Sequence, residues 1–189
     1  LQIFKMKQPA ILFYNTLFLL LFLPFISRSQ EKVDLFILAG QSNAQGWMGD
    51  AVKYSAESTT ENDTLTVITY NIWNGFDWGK DTLRRVNPQN WMKEQQPSVV
   101  ALQELCGYTP EKLKEDAKSW GHNYSVLLKT TGYSVGLTSE FPIQVNEKII
   151  EGMHHGALHC QTAGIDFLVV HLHPGSIKRR MEEEKILHG

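Results

Sequence analysis

From residue 65 onward, short apolar runs rich in β-branched residues alternate with polar stretches, and this alternation sets the predicted elements. Strands are expected over 65–72 and 99–105, separated by a loop at 74–81 and a helix over 87–96 that Pro97 stops. A second helix opens at Thr109-Pro110-Glu111: threonine can cap it, proline suits the first turn, and Glu111 suits the positive end of the dipole. It runs to about Trp120 and ends at Gly121. Short strands are then expected over 123–129, 134–139, 143–151, 156–161 and 166–172, before a last helix from near Ser176. Helices between early strands and direct strand-to-strand connections later predict an α/β sandwich with mixed sheets.

Two strands end on a polar side chain. Leu65-Thr66-Val67-Ile68-Thr69-Tyr70 runs into Asn71, and Val99-Val100-Ala101-Leu102-Gln103 runs into Glu104. Flanking one helix, these strands would lie side by side, and sites in such sheets collect just beyond the strand ends. A carboxylate and an amide there suit a hard divalent cation, which prefers oxygen ligands. A glutamate after an apolar run is costly to bury without a cation or donor, unless it simply reaches water. His171 closes the apolar run 167–170 in the same way and could donate to an oxyanion or carry a proton near neutral pH. His173 would share its face if the strand persists past Pro174.

The first third of the chain reads differently. Met6 and Lys7 precede an apolar stretch that is unbroken over 17–26, and Ser27-Arg28-Ser29 offers small residues at signal-peptidase spacing. Residues 6–29 are therefore expected to be a cleavable signal, exporting the protein to a periplasmic or extracellular space with no stable membrane span left after cleavage. Leu1 to Lys5 would lie upstream of a start at Met6. An apolar strand then runs from Val33 into Gly40-Gln41-Ser42-Asn43, a tight turn that would expose a serine. The Ser, Thr, Glu and Asn-rich stretch 55–64 reads as a linker.

Loss of the signal leaves about 160 residues, enough for one domain. A formal charge of −2 provides no broad basic surface for a nucleic-acid polymer. Two cysteines, Cys106 and Cys160, are too few for a disulfide framework and read as a pair or as buried thiols. Five of the seven histidines fall between His154 and His173, which raises zinc. Against it, His154 and His155 would face opposite sides of a strand, and no spacing matches a standard structural site. Trp73, Phe76 and Trp78 could stack on a ligand, and Tyr133, Ser139 and Phe141 could line a site, with packing the default for the aromatics. The charged run 178–185 reads as a solvated helix face.

The segments Thr69-Tyr70-Asn71-Ile72-Trp73-Asn74 and Val99-Val100-Ala101-Leu102-Gln103-Glu104 resemble the first two motifs of the endonuclease/exonuclease/phosphatase superfamily, the deoxyribonuclease I-like phosphoesterases. Ser134-Val135-Gly136-Leu137-Thr138-Ser139-Glu140-Phe141-Pro142-Ile143, His155-Gly156-Ala157-Leu158 and Phe167-Leu168-Val169-Val170-His171-Leu172 are similar to its next segments, in order. The resemblance covers about 65–187. It implies a partial deoxyribonuclease I-like α/β sandwich over 65–189, with Glu104 holding Mg2+ or Mn2+. Asn71 would stand beside metal and phosphate, and His171 beside the scissile phosphate. Water would attack in line without a covalent enzyme intermediate. The substrate would be a phosphoester of undecided type (nucleic acid, phospholipid or sugar phosphate), and no protein partner is implied. The family's later Gly-Asp-x-Asn and Asp-His motifs do not occur, so the fold is expected to be incomplete at its C-terminus, a fragment of little activity.

Residues 33–54 resemble the opening of sialate O-acetylesterase-like carbohydrate esterases, related to the SGNH hydrolases, in which Ser42 would be the nucleophile. The late Asp-x-x-His block that family uses is not found here. Residues 30–54 are therefore expected to be a remnant, with an O-acetylesterase or a non-catalytic ligand-binding module as the alternatives.

Overall fold

The computed structural model describes residues 2–7, 35–39 and 64–188; side chains are described from residue 65 onward. In chain order the elements are β1 (Gln2–Lys7), β2 (Leu35–Ala39), β3 (Thr64–Asn71), α1 (Trp73–Trp78), α2 (Thr82–Gln95), β4 (Val99–Gln103) and α3 (Pro110–Ser119). β5 (Tyr124–Leu127), β6 (Val135–Ser139), β7 (Ile143–Ile149), β8 (Ala157–Thr162), β9 (Ile165–Val170) and α4 (Ile177–His188) follow.

The strands form two sheets, β1-β3-β4-β6-β5 and β2-β9-β8-β7. β3 and β4 are parallel and joined through α2, as their apolar runs predict, whereas β4–β6 and β5–β6 are antiparallel. In the second sheet β7, β8 and β9 form an antiparallel meander, and β2 lies parallel to β9.

Alternation along each strand divides the apolar residues between two faces. Leu65, Val67, Val99, Ala101, Val135 and Leu137 of the first sheet meet Leu158, Cys160, Phe167 and Val169 of the second in a shared core. The opposite face of the first sheet, with Ile68, Val100 and Leu102, packs under Met92 of α2 and Leu113 and Ala117 of α3. Leu168 and Val170 on the outside of the second sheet gather with Met153, Ala157 and Leu187 of α4. The result is the expected α/β sandwich with mixed sheets. Across the helical layer, Asp116 of α3 accepts from Arg85, from Gln89 at 2.9 Å and from Tyr108 at 2.7 Å. Burial and the Asp116 carboxylate together push the Tyr108 hydroxyl far above its usual range.

Several boundaries differ from expectation. The helix expected from residue 87 begins at Thr82, where the Asp81 carboxylate accepts the Arg84 N–H at 2.9 Å. Pro88 therefore lies inside α2 rather than at its start. β9 stops at Val170, so His171 and His173 follow the strand and do not share a strand face. The expected loop 74–81 contains a helical turn of the opposite hand: Trp73, Asn74, Phe76, Asp77 and Trp78 all have φ between 52° and 57°. Each non-glycine residue in that region costs about 1–2 kcal/mol.

The strand expected after Val33 is present as β2, bonded to β9 along its length. Met6 and Lys7, expected to open a signal, end β1, which pairs with β3. The rest of the expected signal, Ser42 with its turn, and the linker up to residue 63 lie outside the described residues. No described helix is long and apolar enough to cross a membrane. Cys106 and Cys160 are buried free thiols, pushed up to about 11 and about 12, chiefly by burial.

Candidate functional site

Asn71, Glu104 and His171 converge where β3, β4 and β9 end. The Asn71 amide nitrogen donates to Glu104 Oε1 at 2.9 Å, and His171 Nε2 lies 3.5 Å from the same oxygen. The other carboxylate oxygen accepts the Asn74 backbone N–H at 2.8 Å. Glu104 is 3% exposed and His171 2%, so a carboxylate and an imidazole share a nearly water-free setting. The three residues identified from strand ends thus form one cluster.

Local backbone explains the aim of Glu104. Ile72 N–H bonds the Gln103 carbonyl at 3.1 Å and Leu105 N–H bonds the Ser134 carbonyl at 2.9 Å, pinning the chain on either side. Between these anchors Glu104 takes φ +60°, a left-handed conformation that ends the strand and turns the side chain into the cluster. The left-handed α1 brings the Asn74 N–H onto the carboxylate. It also requires Gly75, because a Cβ there would lie 2.1 Å from the Cys106 carbonyl oxygen.

The Asn71 oxygen accepts the Trp73 N–H at 2.9 Å while its nitrogen donates to Glu104.

Among the described residues no three His, Cys, Asp or Glu side chains are gathered as ligands of one ion. The oxygen donors nevertheless fit a magnesium-like ion. Such ions keep several waters and are commonly held by one or two carboxylates together with substrate phosphate. Among the described residues each Glu104 oxygen accepts one hydrogen bond, with His171 Nε2 also 3.5 Å from Oε1, and each carboxylate oxygen has a second lone pair to offer. Close by in the sheet, Gln103 is in register with Asn71 and gives its nitrogen to Thr69 at 3.0 Å. Its buried Oε1 has no partner among the described residues, the kind of acceptor that water or a cation satisfies.

Three further histidine rings extend from His171 of the cluster. His155 stacks on His171 with centroids 4.5 Å apart, His154 meets His155 at 4.2 Å, and His173 meets His154 at 4.3 Å. His154 and His155 lie in the β7–β8 connection rather than in a strand, so they do not face opposite ways as expected. Burial, and then the neighbouring His171 and His154, press the His155 imidazole down to about 3. Burial and His173 lower His154 as well.

The ladder ends at a cleft of about 240 Å³ lined by Met153, His154, His173, Arg179, Glu182 and Glu183. Glu183 of α4 accepts the backbone N–H groups of His154 at 2.7 Å and His173 at 2.8 Å. Its burial departs from the fully solvated face expected for that charge run. No sequence signal marks it, since it is one acid in a run of mixed charge.

The aromatic expectations divide. Phe76 is buried under the first sheet, whereas Trp73 is 44% exposed and Trp78 53%. Tyr133 lies against His155 at 5.1 Å. Ser139 donates to the Ser98 carbonyl and bonds Thr162, and Phe141 packs on the shared core. His159 lies 2.8 Å from Asp166 across neighbouring strands, separate from the cluster.

No protein-family model matches the chain, and no curated protein matches it. Among solved structures it is similar to a humanized D. rerio TDP2 carrying 14 mutations, at 19% identity and a TM-score of 0.46, over 66% of this chain and 53% of that one. It is similar to D. rerio TDP2 complexed with single strand DNA product, at 16% identity and a TM-score of 0.48, over 65% and 52% of the two chains. An AP endonuclease from Archaeoglobus fulgidus is similar at 20% identity and a TM-score of 0.40, over 55% and 39%. The chain thus spans about half the length of the TDP2 structures it matches, and less of the endonuclease.

Proposed function

We propose that the chain is a phosphoester hydrolase of the endonuclease/exonuclease/phosphatase type that works with a bound divalent cation, Mg2+ or Mn2+. The observation that supports this most directly is the Asn71–Glu104–His171 cluster: a buried carboxylate held by an amide and facing an imidazole at the ends of three strands.

In this reading Glu104 holds the cation, and Asn71 and the Asn74 N–H keep its carboxylate in one orientation. Such an ion, when bound, would neutralise charge that builds on the phosphoryl oxygens. His171 faces the phosphate and, when protonated, donates to a phosphoryl oxygen. Water is the nucleophile, the P–O ester bond is the one broken, and no covalent enzyme intermediate forms. Export by the segment 6–29 belongs to the same proposal, resting on the apolar run 17–26; cleavage after Ser29 would also remove β1 and its pairing with β3.

The test uses the full chain. Calorimetric titration with Mg2+ and Mn2+ is expected to show binding that Glu104→Gln removes. Turnover of bis(p-nitrophenyl) phosphate, however slow, is expected to stop with a chelator and return with Mg2+. Turnover indifferent to the chelator, or cation binding unchanged in Glu104→Gln, would overturn the reading.

A further inference from the structure

We propose that Trp73 is a stacking residue that selects phosphoesters whose non-reacting arm carries a ring. The inference rests on the phosphoester reading of the neighbouring cluster and adds a specificity determinant to it.

Trp73 is coupled to the cluster through its backbone. Its N–H bonds the Asn71 oxygen at 2.9 Å, and the next residue gives its N–H to Glu104. An exposed indole is thereby fixed within one residue of two site contacts. The side chain is also supported: the Arg84 guanidinium lies 4.3 Å from the ring centroid and donates to the Ile72 carbonyl at 3.3 Å. An indole backed by a guanidinium forms one layer of a stack, to which another ring can add.

The backbone of α1 gives a second, independent reason. Left-handed φ values at Trp73, Asn74, Phe76, Asp77 and Trp78 are costly, and such strain persists where the surrounding structure enforces it and function uses it. This turn buries Phe76 and leaves both tryptophans in solvent. Core packing would be the ordinary fate of residues of this size. Trp78, at the far end, lies near Gly107, where an added Cβ would come within 3.6 Å of its ring. Trp73 is the tryptophan hydrogen-bonded to the site.

The net charge of −2 argues against a long polyanion and favours single ring-bearing phosphoesters, in which ring stacking rather than many phosphate contacts supplies affinity. Both a nucleobase and a sugar present the shared chemistry, a flat or faceted ring a few bonds from phosphate.

The experiment is equilibrium binding in Mg2+, read calorimetrically, of methyl phosphate, thymidine 5′-monophosphate and glucose 6-phosphate. At least one ring-bearing phosphate is expected to bind about tenfold or more tighter than methyl phosphate, since stacking on an aromatic side chain carries such a factor. Trp73→Ala should erase that preference, Trp73→Phe should keep most of it, and Trp78→Phe should leave it unchanged. Preference for the thymidine ester assigns the ring as a base, and preference for the glucose ester as a sugar. Equal binding of all three, or a preference that survives Trp73→Ala, overturns the proposal while leaving the metal-dependent reading intact. Failure of all three to bind in Mg2+ overturns both. Thermal unfolding of Trp73→Ala within a few degrees of the parent shows that the variant is folded.

Discussion

The ring of His155 lies nearly parallel to that of His171, with centroids 4.5 Å apart and planes 24° from coplanar. Burial, with His171 and His154 beside it, presses His155 to about 3, so the native state keeps it neutral while the unfolded chain protonates it near pH 6.5. Its contribution is therefore full above pH 6.5 and declines as pH falls toward 3, where the unfolded state binds the additional proton. The slope is at most about 1.4 kcal/mol per pH unit within that window. Urea midpoints of the parent at pH 7, 6, 5 and 4 should fall more steeply than those of His155→Gln. Parallel slopes would show that this histidine does not titrate as described.

Gly75 is fixed by the approach of the Cys106 carbonyl. In Gly75→Ala the new methyl would stand 2.1 Å from that oxygen, at φ +64°. The backbone must move, at a cost of about 3 kcal/mol or more. Movement of Asn74 would also free one oxygen of Glu104. Chemical denaturation should register the loss, and a variant as stable as the parent would contradict the close approach.

Glu104→Gln keeps the shape of the side chain but removes its charge. Mg2+ affinity is expected to fall at least about tenfold, since a hard cation loses its carboxylate. The amide oxygen can still accept the Asn74 N–H, but the amide NH2 then faces the Asn71 donor, so one hydrogen bond is lost. The thermal midpoint should fall modestly while cation affinity falls at least about tenfold, a contrast that calorimetry and thermal unfolding report separately.

Glu183→Ala would leave the His154 and His173 amides without their shared carboxylate. Hydrogen bonds to a charged acceptor are worth about 1.5–3 kcal/mol each, so a loss of about 3 kcal/mol is expected, together with faster hydrogen exchange at those two amides. Unchanged exchange there would mean that the carboxylate does not hold the loop to α4.

Much of the framework was legible because it is local. Apolar runs ending in Asn71, Glu104 and His171 mark where strands stop; one sheet brings the first two ends together, and the packing of the second sheet on it brings the third. Thr109-Pro110 likewise located α3: the threonine accepts the Lys112 N–H at 3.2 Å, with proline at the first position. The left-handed α1 had no comparable signal. Tryptophan, phenylalanine and aspartate do not favour positive φ, and only the glycines at 75 and 79 hint at it. The helix expected from residue 87 starts earlier, at Thr82, because Asp81 caps α2 nearly two turns before it. Glu183 was hidden by its charged neighbours, since burial of one acid in a mixed run depends on a loop almost thirty residues away. The pairings of β1 and β2 are more remote still: a short strand carries no address for its partner.

Those two pairings decide how the molecule opens. In the uncleaved chain β3 is bonded to β1 and β4, and β9 to β2 and β8, so Asn71 and His171 follow strands fastened along both flanks. The border strands β1, β5, β2 and β7 each have one neighbour within their sheet, whereas β3, β4 and β9 are interior. Thermal fraying should begin at those margins and reach the floor of the cluster last. The Asn71–Glu104–His171 arrangement would then persist through partial melting and vanish only when the whole sandwich comes apart.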